Sequence, residues 1–361
     1  MIRSTVMFVV VALATTLVPS TALAQDGGLS EPLREALLRS LDRAETYLME
    51  RRADNGVWEN HAGITALAAA ALIEREGADR AEQVRRLRPT LDYLAGLAKP
   101  DGGIYERDTP HYVTAVSVLA LLATEDARYE ETIENARLYL ADSLVDEGEG
   151  YNVDDQFYGG VGYGSDLRPD MSNVELALRA LKESGTPDDS ELWDKALNFI
   201  QRTQNSSETN DLDWAADDGG FVYYPGFTYA VAGGTTSYGS MTYAGLLSYS
   251  YANVDKGDER VQAALDWIRE HYTVDENPNI EQKTVYYYYM VFAKALQAWG
   301  EDVIVDANGQ AHNWREDLGR KLLELQYDEG YWVNLADPDY MQDNEVLITA
   351  FTMTAIEYLL R

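Results

Sequence analysis

From Asp79 to Leu122 the chain reads DRAEQVRRLRPTLDYLAGLAKPDGGIYERDTPHYVTAVSVLALL, and this stretch decides the fold. Its first half is amphipathic at helical spacing: Val84, Leu87, Leu91, Leu94 and Ala98 form one stripe, and Arg85, Arg86 and Arg88 face away. Pro89 lacks a backbone donor, which predicts a kink or a fresh helix start at that point. Lys99-Pro100-Asp101-Gly102-Gly103 makes a tight turn. The second half, from about Tyr112 to Ala123, is apolar or small on every face, so protein must surround it. The pair is an outer helix and an inner helix joined as a hairpin.

The hairpin recurs. Tyr47-Leu48, Tyr93-Leu94 and Tyr139-Leu140 lie 46 residues apart, and so do Gly56, Gly102 and Gly148. The register predicts that Tyr47, Tyr93 and Tyr139 occupy equivalent, inward-facing sites, and that the three glycines occupy equivalent turns. Later units stretch the spacing: outer helices start near Ala127, Glu191, Glu259 and Trp314, and inner helices near Ser172, Met241, Val285 and Glu345. Two long loops, 145–170 and 204–240, precede the third and fourth inner helices. The last helix, Leu347 to Leu360, is largely apolar, whereas an open stack of hairpins needs a polar capping helix. The expected architecture is therefore all-α, an α/α toroid of about six inner and six outer helices, formed by residues 25–361 as one domain. The turns and both long loops then share one mouth, where the amino ends of the inner helices favour an anion or a carboxylate.

Composition narrows the function classes. Residues 1–24 carry Arg3, an apolar run from Val6 to Leu17 and the small-residue pattern Ala22-Leu23-Ala24, the marks of a secretory signal peptide. An exported, periplasmic or extracellular protein without an integral membrane segment is expected. The formal net charge is −32, with 7 lysines against 22 arginines, which disfavours nucleic acid and anionic membranes as partners. The absence of cysteine removes disulfides, thiolate catalysis and Cys-containing zinc sites. His61, His111, His271 and His312 are scattered without metal-ligand spacing, so no metal or cofactor is expected. His61 and His111 precede neighbouring inner helices and are open to a shared cavity or to capping roles.

The turns Asp101-Gly102-Gly103-Ile104, Asp218-Gly219-Gly220-Phe221 and Glu329-Gly330-Tyr331-Trp332, with Gln201 and Gln326 late in outer helices, resemble degenerate Gln-Trp repeats. Through them nearly the whole chain after residue 24 resembles the terpenoid cyclase and protein prenyltransferase superfamily. The stretches Arg168-Pro-Asp-Met-Ser-Asn173, Ser237-Tyr-Gly-Ser-Met-Thr-Tyr243 and His271-Tyr-Thr-Val-Asp-Glu-Asn-Pro278 are similar to an exported bacterial squalene-cyclase-like branch. The resemblance implies a toroid that binds or transforms an isoprenoid in its central cavity. Squalene cyclases use an Asp-x-Asp-Asp acid motif, and prenyltransferases a zinc site that includes Cys; neither occurs here.

Candidate site residues cluster in the long loops, whose aromatic content argues for order and function. Asp170, Asp154 and Asp155 are the catalytic candidates. Asp170 leads by the resemblance, since it opens an inner helix where the cyclases place their acid. The helix amino end opposes that role: it holds the carboxylate charged, with a lowered pKa, as an N-cap. Tyr158, Tyr163, Arg168, Tyr223, Tyr224, Tyr238, Tyr243 and Tyr287 are the ligand-binding candidates, the rings offering faces to a hydrocarbon or a cation. Asp211, Asp213, Asp217 and Asp218 lack the order of a calcium loop and read as a solvated acidic segment. Two other readings stay open: a carbohydrate-active toroid, with tyrosines stacking on sugars and paired carboxylates, and a noncatalytic toroid binding a ligand or another protein. The ligand is expected to be small and apolar, or sugar-like.

Overall fold

A computed structural model describes residues 28–164 and 168–361. The signal-peptide assignment to residues 1–24 lies outside the described residues. In chain order the helices are α1 (Glu31–Arg51), α2 (Ala62–Ile73), α3 (Arg80–Arg86), α4 (Arg88–Gly96), α5 (Pro110–Leu122), α6 (Glu130–Ala141) and α7 (Met171–Glu183). There follow α8 (Glu191–Arg202), α9 (Gly239–Tyr251), α10 (Glu259–Glu270), α11 (Val285–Trp299), α12 (Trp314–Leu325) and α13 (Glu345–Leu360). A short antiparallel hairpin, β1 (Val303–Val305) with β2 (Ala311–Asn313), links α11 to α12. As its proline predicted, the second outer helix is broken: α3 ends at Arg86, Leu87 caps both pieces, and α4 restarts with Pro89 in its first turn.

The inner helices pack in the cyclic order α2, α5, α7, α9, α11, α13 and back to α2, so the inner ring is closed. Outside it, α1 packs on α13 and α12, α4 on α2 and α5, and α6 on α5 and α7. The inner helices earn that place by composition. In α2, α5, α9 and α13 apolar, small or hydroxyl residues cover every face, and all but a few are buried. Outer helices bury only a stripe, as in α8 with Leu192, Trp193, Ala196, Phe199 and Ile200.

Glycines stitch successive hairpins together. Gly56, Gly102, Gly219 and Gly330 have positive φ and press on the backbone of the next outer helix. A Cβ on Gly102 would lie 2.5 Å from the carbonyl oxygen of Asn135, and one on Gly330 would lie 2.6 Å from that of Arg43 on α1, which closes the outer layer. In the third hairpin the role falls to Gly159, whose Cβ would collide with the carbonyl of Lys195, not to Gly148. Gly148 sits in an exposed single turn, because the long loop shifts the tight turn beyond the 46-residue register. Each turn is also tied to its inner helix. Thr65, Thr114, Thr242 and Thr349 accept the backbone N–H of Trp58, Ile104, Phe221 and Trp332 at 2.9–3.2 Å.

The register of the tyrosines holds with a change of direction. Leu48, Leu94 and Leu140 are fully buried and face the inner ring. Their neighbours Tyr47, Tyr93 and Tyr139, rotated about 100° around the helix, turn towards the mouth. There Tyr47 bonds Glu345, Tyr93 donates to Glu106 at 2.9 Å, and the ring of Tyr139 lies 5.7 Å from that of His111.

Candidate ligand cavity

All six inner helices start at one mouth and line a central cavity of about 350 Å3, near the lower end of the ~300–1,000 Å3 typical of small-molecule sites. Most of the wall is apolar. Ile64, Leu67, Val116, Leu176, Met241, Met290, Leu347 and Phe351 come from the helices, and Tyr163, Tyr223, Tyr229, Tyr238 and Tyr340 from the loops above them. Aromatic rings close the rim: Tyr229 lies 5.0 Å from Tyr223 and 5.8 Å from Tyr340. Glu175 on α7 is the one carboxylate of the wall among the described residues. It is bound by Lys294 of α11 at 2.5 Å, both side chains being 2% exposed. Lys283, the one lysine or arginine of the wall among the described residues, is held by Asp339 at 2.7 Å.

Behind Ser172, Tyr163 and Tyr223 lies Asp170, 1% exposed, at the N-cap of α7. Its Oδ1 accepts from the Ser172 N–H (3.1 Å), the Ser172 hydroxyl (2.6 Å) and the Asn173 N–H (3.0 Å), and its Oδ2 from Asn173 Nδ2 (2.8 Å). The cap expected from the sequence is therefore present, but the expected lowering of its pKa is not. Burial is the largest influence and pushes the carboxyl above its usual range, despite the opposing hydrogen bonds from Ser172, Asn173 and Tyr223. The tyrosines of the wall move the same way. Burial, with Asp170 behind it, pushes Tyr163 up to about 12, and Tyr223, Tyr238 and Tyr287 higher still. At physiological pH all four present neutral hydroxyls.

These contacts define the consequence of altering Asp170. Asp170→Ala, which strips the cap, is expected to cost about 1–2 kcal/mol in chemical denaturation. Asp170→Asn is expected to cost less than about 1 kcal/mol, because Asn caps nearly as well as Asp. Rotation of the Asn173 amide would bring its Oδ1, buried and without a partner, to meet the new NH2 group. Equal losses in the two variants would contradict a capping role.

Of the candidates named from sequence, Tyr163, Tyr223, Tyr238 and Tyr287 come together on the cavity wall. The others do not. Asp154 is exposed, and Asp155 accepts the Asn152 N–H at 2.6 Å within the loop. Tyr158 donates to Glu147 at 2.9 Å. Arg168 lies over the ring of Tyr224 at 5.1 Å, and Tyr224 stacks on Phe227 at 4.6 Å. Tyr243 packs between Tyr288 and Phe292 in the layer between helices. The loop residues among them are taken up by contacts within their own loops or with neighbouring segments, and Tyr243 by the packing of α9 against α11.

His61 is on the wall, where its Nδ1 caps α2 by accepting the Ile64 N–H at 3.3 Å. His111 instead points to the Gly162 carbonyl at 3.1 Å, so the two histidines do not share the cavity. The acidic loop is held by pairing. Asp211 binds Arg202 at 2.5 Å, Asp217 accepts the Ser207 N–H at 2.8 Å, and Asp218 accepts the Gly220 N–H and the Ser237 hydroxyl. Among the described residues no group of three or more His, Asp or Glu is arranged to hold a metal ion. No helix among them is long and apolar enough to cross a membrane. Glu175, Lys283, Tyr340 and Gln342 were not singled out from the sequence. For Glu175 a signal existed, since it stands alone as an acid in the middle of an inner helix, with Lys294 its counterpart in apolar α11.

This architecture is that of the terpene cyclases, an α/α toroid. The chain is similar to the type II terpene cyclase MstE from Scytonema in complex with the substrate geranylgeranyl dihydroxybenzoate, with a TM-score of 0.58 and 14% identity over 91% of this chain and 99% of that one. A complex of MstE with the product merosterolic acid A gives 0.57 and 16% over 91% and 99%. A protein from Actinoplanes gives 0.55 and 14% over 90% and 100%. At such identities the likeness is one of fold. No family model and no curated protein matches the sequence.

Proposed function

We propose that this chain binds an isoprenoid chain in its central cavity, as an exported member of the squalene-cyclase-like branch whose motifs its sequence resembles. One observation carries the reading: a ring-centred cavity of about 350 Å3 walled by aliphatic side chains and protonated tyrosines, whose one carboxylate among the described residues is already neutralised by a buried lysine. Such a wall removes hydrocarbon from water at roughly 25 cal/mol per Å2 and offers aromatic faces along its length. The terpene cyclase of the same fold, whose complexes hold a geranylgeranyl substrate and a merosterolic acid product, supports the same ligand class. A glycosidase-like site needs two carboxylates about 5–10 Å apart across an open groove. Glu175, the wall's carboxylate among the described residues, is tied to Lys294.

The test is a titration of the purified protein, followed by native mass spectrometry, with geraniol, farnesol and geranylgeraniol and with a cello-oligosaccharide. One prenyl alcohol bound per chain and no oligosaccharide is the expected result. Binding of the oligosaccharide alone would replace this reading with the carbohydrate one.

A second reading has its own observation. Asp170 is buried, its pKa is raised, and Tyr223 stands between it and the cavity, the environment of a carboxylic acid that donates a proton to an alkene. Against it, the Ser172 and Asn173 N–H groups and the Asn173 amide donate to the carboxyl, so a proton on Asp170 requires the Ser172 or Tyr223 hydroxyl to turn and accept it, or Asn173 to rotate its amide. If Asp170 acts as an acid, incubation of the parent with a prenyl alcohol yields a cyclised product by gas chromatography, and Asp170→Asn binds the alcohol without converting it. Equal product from both proteins would retire the acid role.

A further inference from the structure

We propose that the cavity selects isoprenoids ending in a neutral hydroxyl group, and that Gln342 is the residue that reads this hydroxyl. The inference rests on the isoprenoid reading of the cavity. Gln342 lies in the loop before α13, is 2% exposed, and forms part of the cavity wall. Its backbone is fully used: its N–H donates to the Asp339 carbonyl at 3.2 Å, and its carbonyl accepts the Asn334 N–H at 2.8 Å. Its side-chain Oε1 is buried and has no hydrogen-bond partner. A buried amide oxygen left unpaired bears the whole cost of its desolvation, and native structures rarely keep one without a use.

The chain also goes to some length to place it there. Tyr340 and Met341, the two residues before it, have φ of 57° and 61°, the left-handed region that bulky side chains seldom occupy. Asp339, at the start of the same segment, is fastened across the mouth to Lys283. A second orphan belongs to another residue of the wall: the hydroxyl of Tyr287, in the first turn of α11, is buried without a hydrogen-bond partner.

The chemistry of these groups sets the ligand class. A hydroxyl donates to Oε1, or accepts from Nε2 if the amide is turned over, and it pairs with a tyrosine hydroxyl in either sense. A diphosphate calls for several unengaged cations, whereas the wall's one lysine among the described residues is occupied by Asp339. A plain hydrocarbon leaves both orphans unsatisfied.

The experiment titrates farnesol, farnesene and farnesyl diphosphate into the parent and Gln342→Leu by calorimetry, with melting curves of both free proteins. The parent is expected to bind farnesol more tightly than the diphosphate. In Gln342→Leu the preference for farnesol over farnesene is expected to fall by about tenfold, with farnesene affinity unchanged. Because leucine removes an unpaired polar atom, the free variant is expected to melt at or above the parent. An unchanged preference, a parent that favours the diphosphate, or a variant that melts well below the parent overturns the assignment of Gln342. Failure of all three compounds to bind the parent brings down the isoprenoid reading itself, and this inference with it.

Discussion

Replacing Lys294 with methionine is expected to destabilise the protein by about 3–5 kcal/mol. The loss reads as a fall in the urea midpoint at unchanged slope. Lys294 and Glu175 are both 2% exposed and meet at 2.5 Å, joining α11 to α7 across the intervening α9. Removing the ammonium leaves a carboxylate buried with only the Tyr251 hydroxyl at 3.5 Å to help it. A pair taken out together behaves differently, because two apolar side chains of similar volume need no partner. Glu175→Leu combined with Lys294→Met should therefore recover most of the loss. A double variant as unstable as the single one would show that the ion pair contributes net stability, and not merely mutual satisfaction.

The second large effect is one of pH. Burial raises Glu357, near the carboxyl end of α13, to about 8 from the ordinary 4.5, against the pull of the Glu76 N–H and Arg361. Its Oε2 accepts that N–H at 2.8 Å, and its Oε1 has no partner. Between these two pKa values the unfolded chain has lost this proton and the folded chain keeps it. Stability is thus fully present below about pH 4.5 and falls as pH rises towards 8. At about 1.36 kcal/mol per unit the fall amounts to roughly 3–5 kcal/mol. Glu357→Gln abolishes this slope and leaves the remaining pH dependence in place. Denaturation of parent and variant at pH 5 and pH 8 measures the difference, and parallel lines would contradict it.

Helical periodicity made the rings legible. Apolar or small residues marked α2, α5 and α13 as inner helices, the repeated hairpin plan placed α9 and α11 beside them, Pro89 marked the break between α3 and α4, and an apolar last helix implied closure. The cavity was harder to read because it depends on directions that periodicity leaves open. Four consecutive tyrosines open α11, and the fold sends Tyr287 to the wall while Tyr288 packs on Tyr243 and Phe292. The long loops gave no period at all, so Asp154, Tyr158 and Tyr224 could not be told from Tyr163 and Tyr223. For Asp170 the local rule of helix capping gave the contacts correctly and the pKa wrongly. A helix amino end acts through neighbouring donors, whereas burial depends on every segment that covers the group. The Glu175–Lys294 pair spans 119 positions, beyond any local pattern.

The contact of Gly330 with Arg43 joins the last hairpin to the first, and Arg34 reaches the Leu360 carbonyl at 2.8 Å. A ring joined in this way has no structural beginning. At the seam between α13 and α1 no peptide bond joins the two helices, yet it carries the same kind of glycine contact as four of the other five. Its contacts also bear the largest loop-closure entropy in the molecule, which grows only as the logarithm of the intervening length. The chain is therefore a candidate for circular permutation. Linking its ends and cutting at the solvent-facing turn between α7 and α8 would move that entropic burden to another seam, changing the order in which hairpins assemble while leaving the finished ring with the same neighbours.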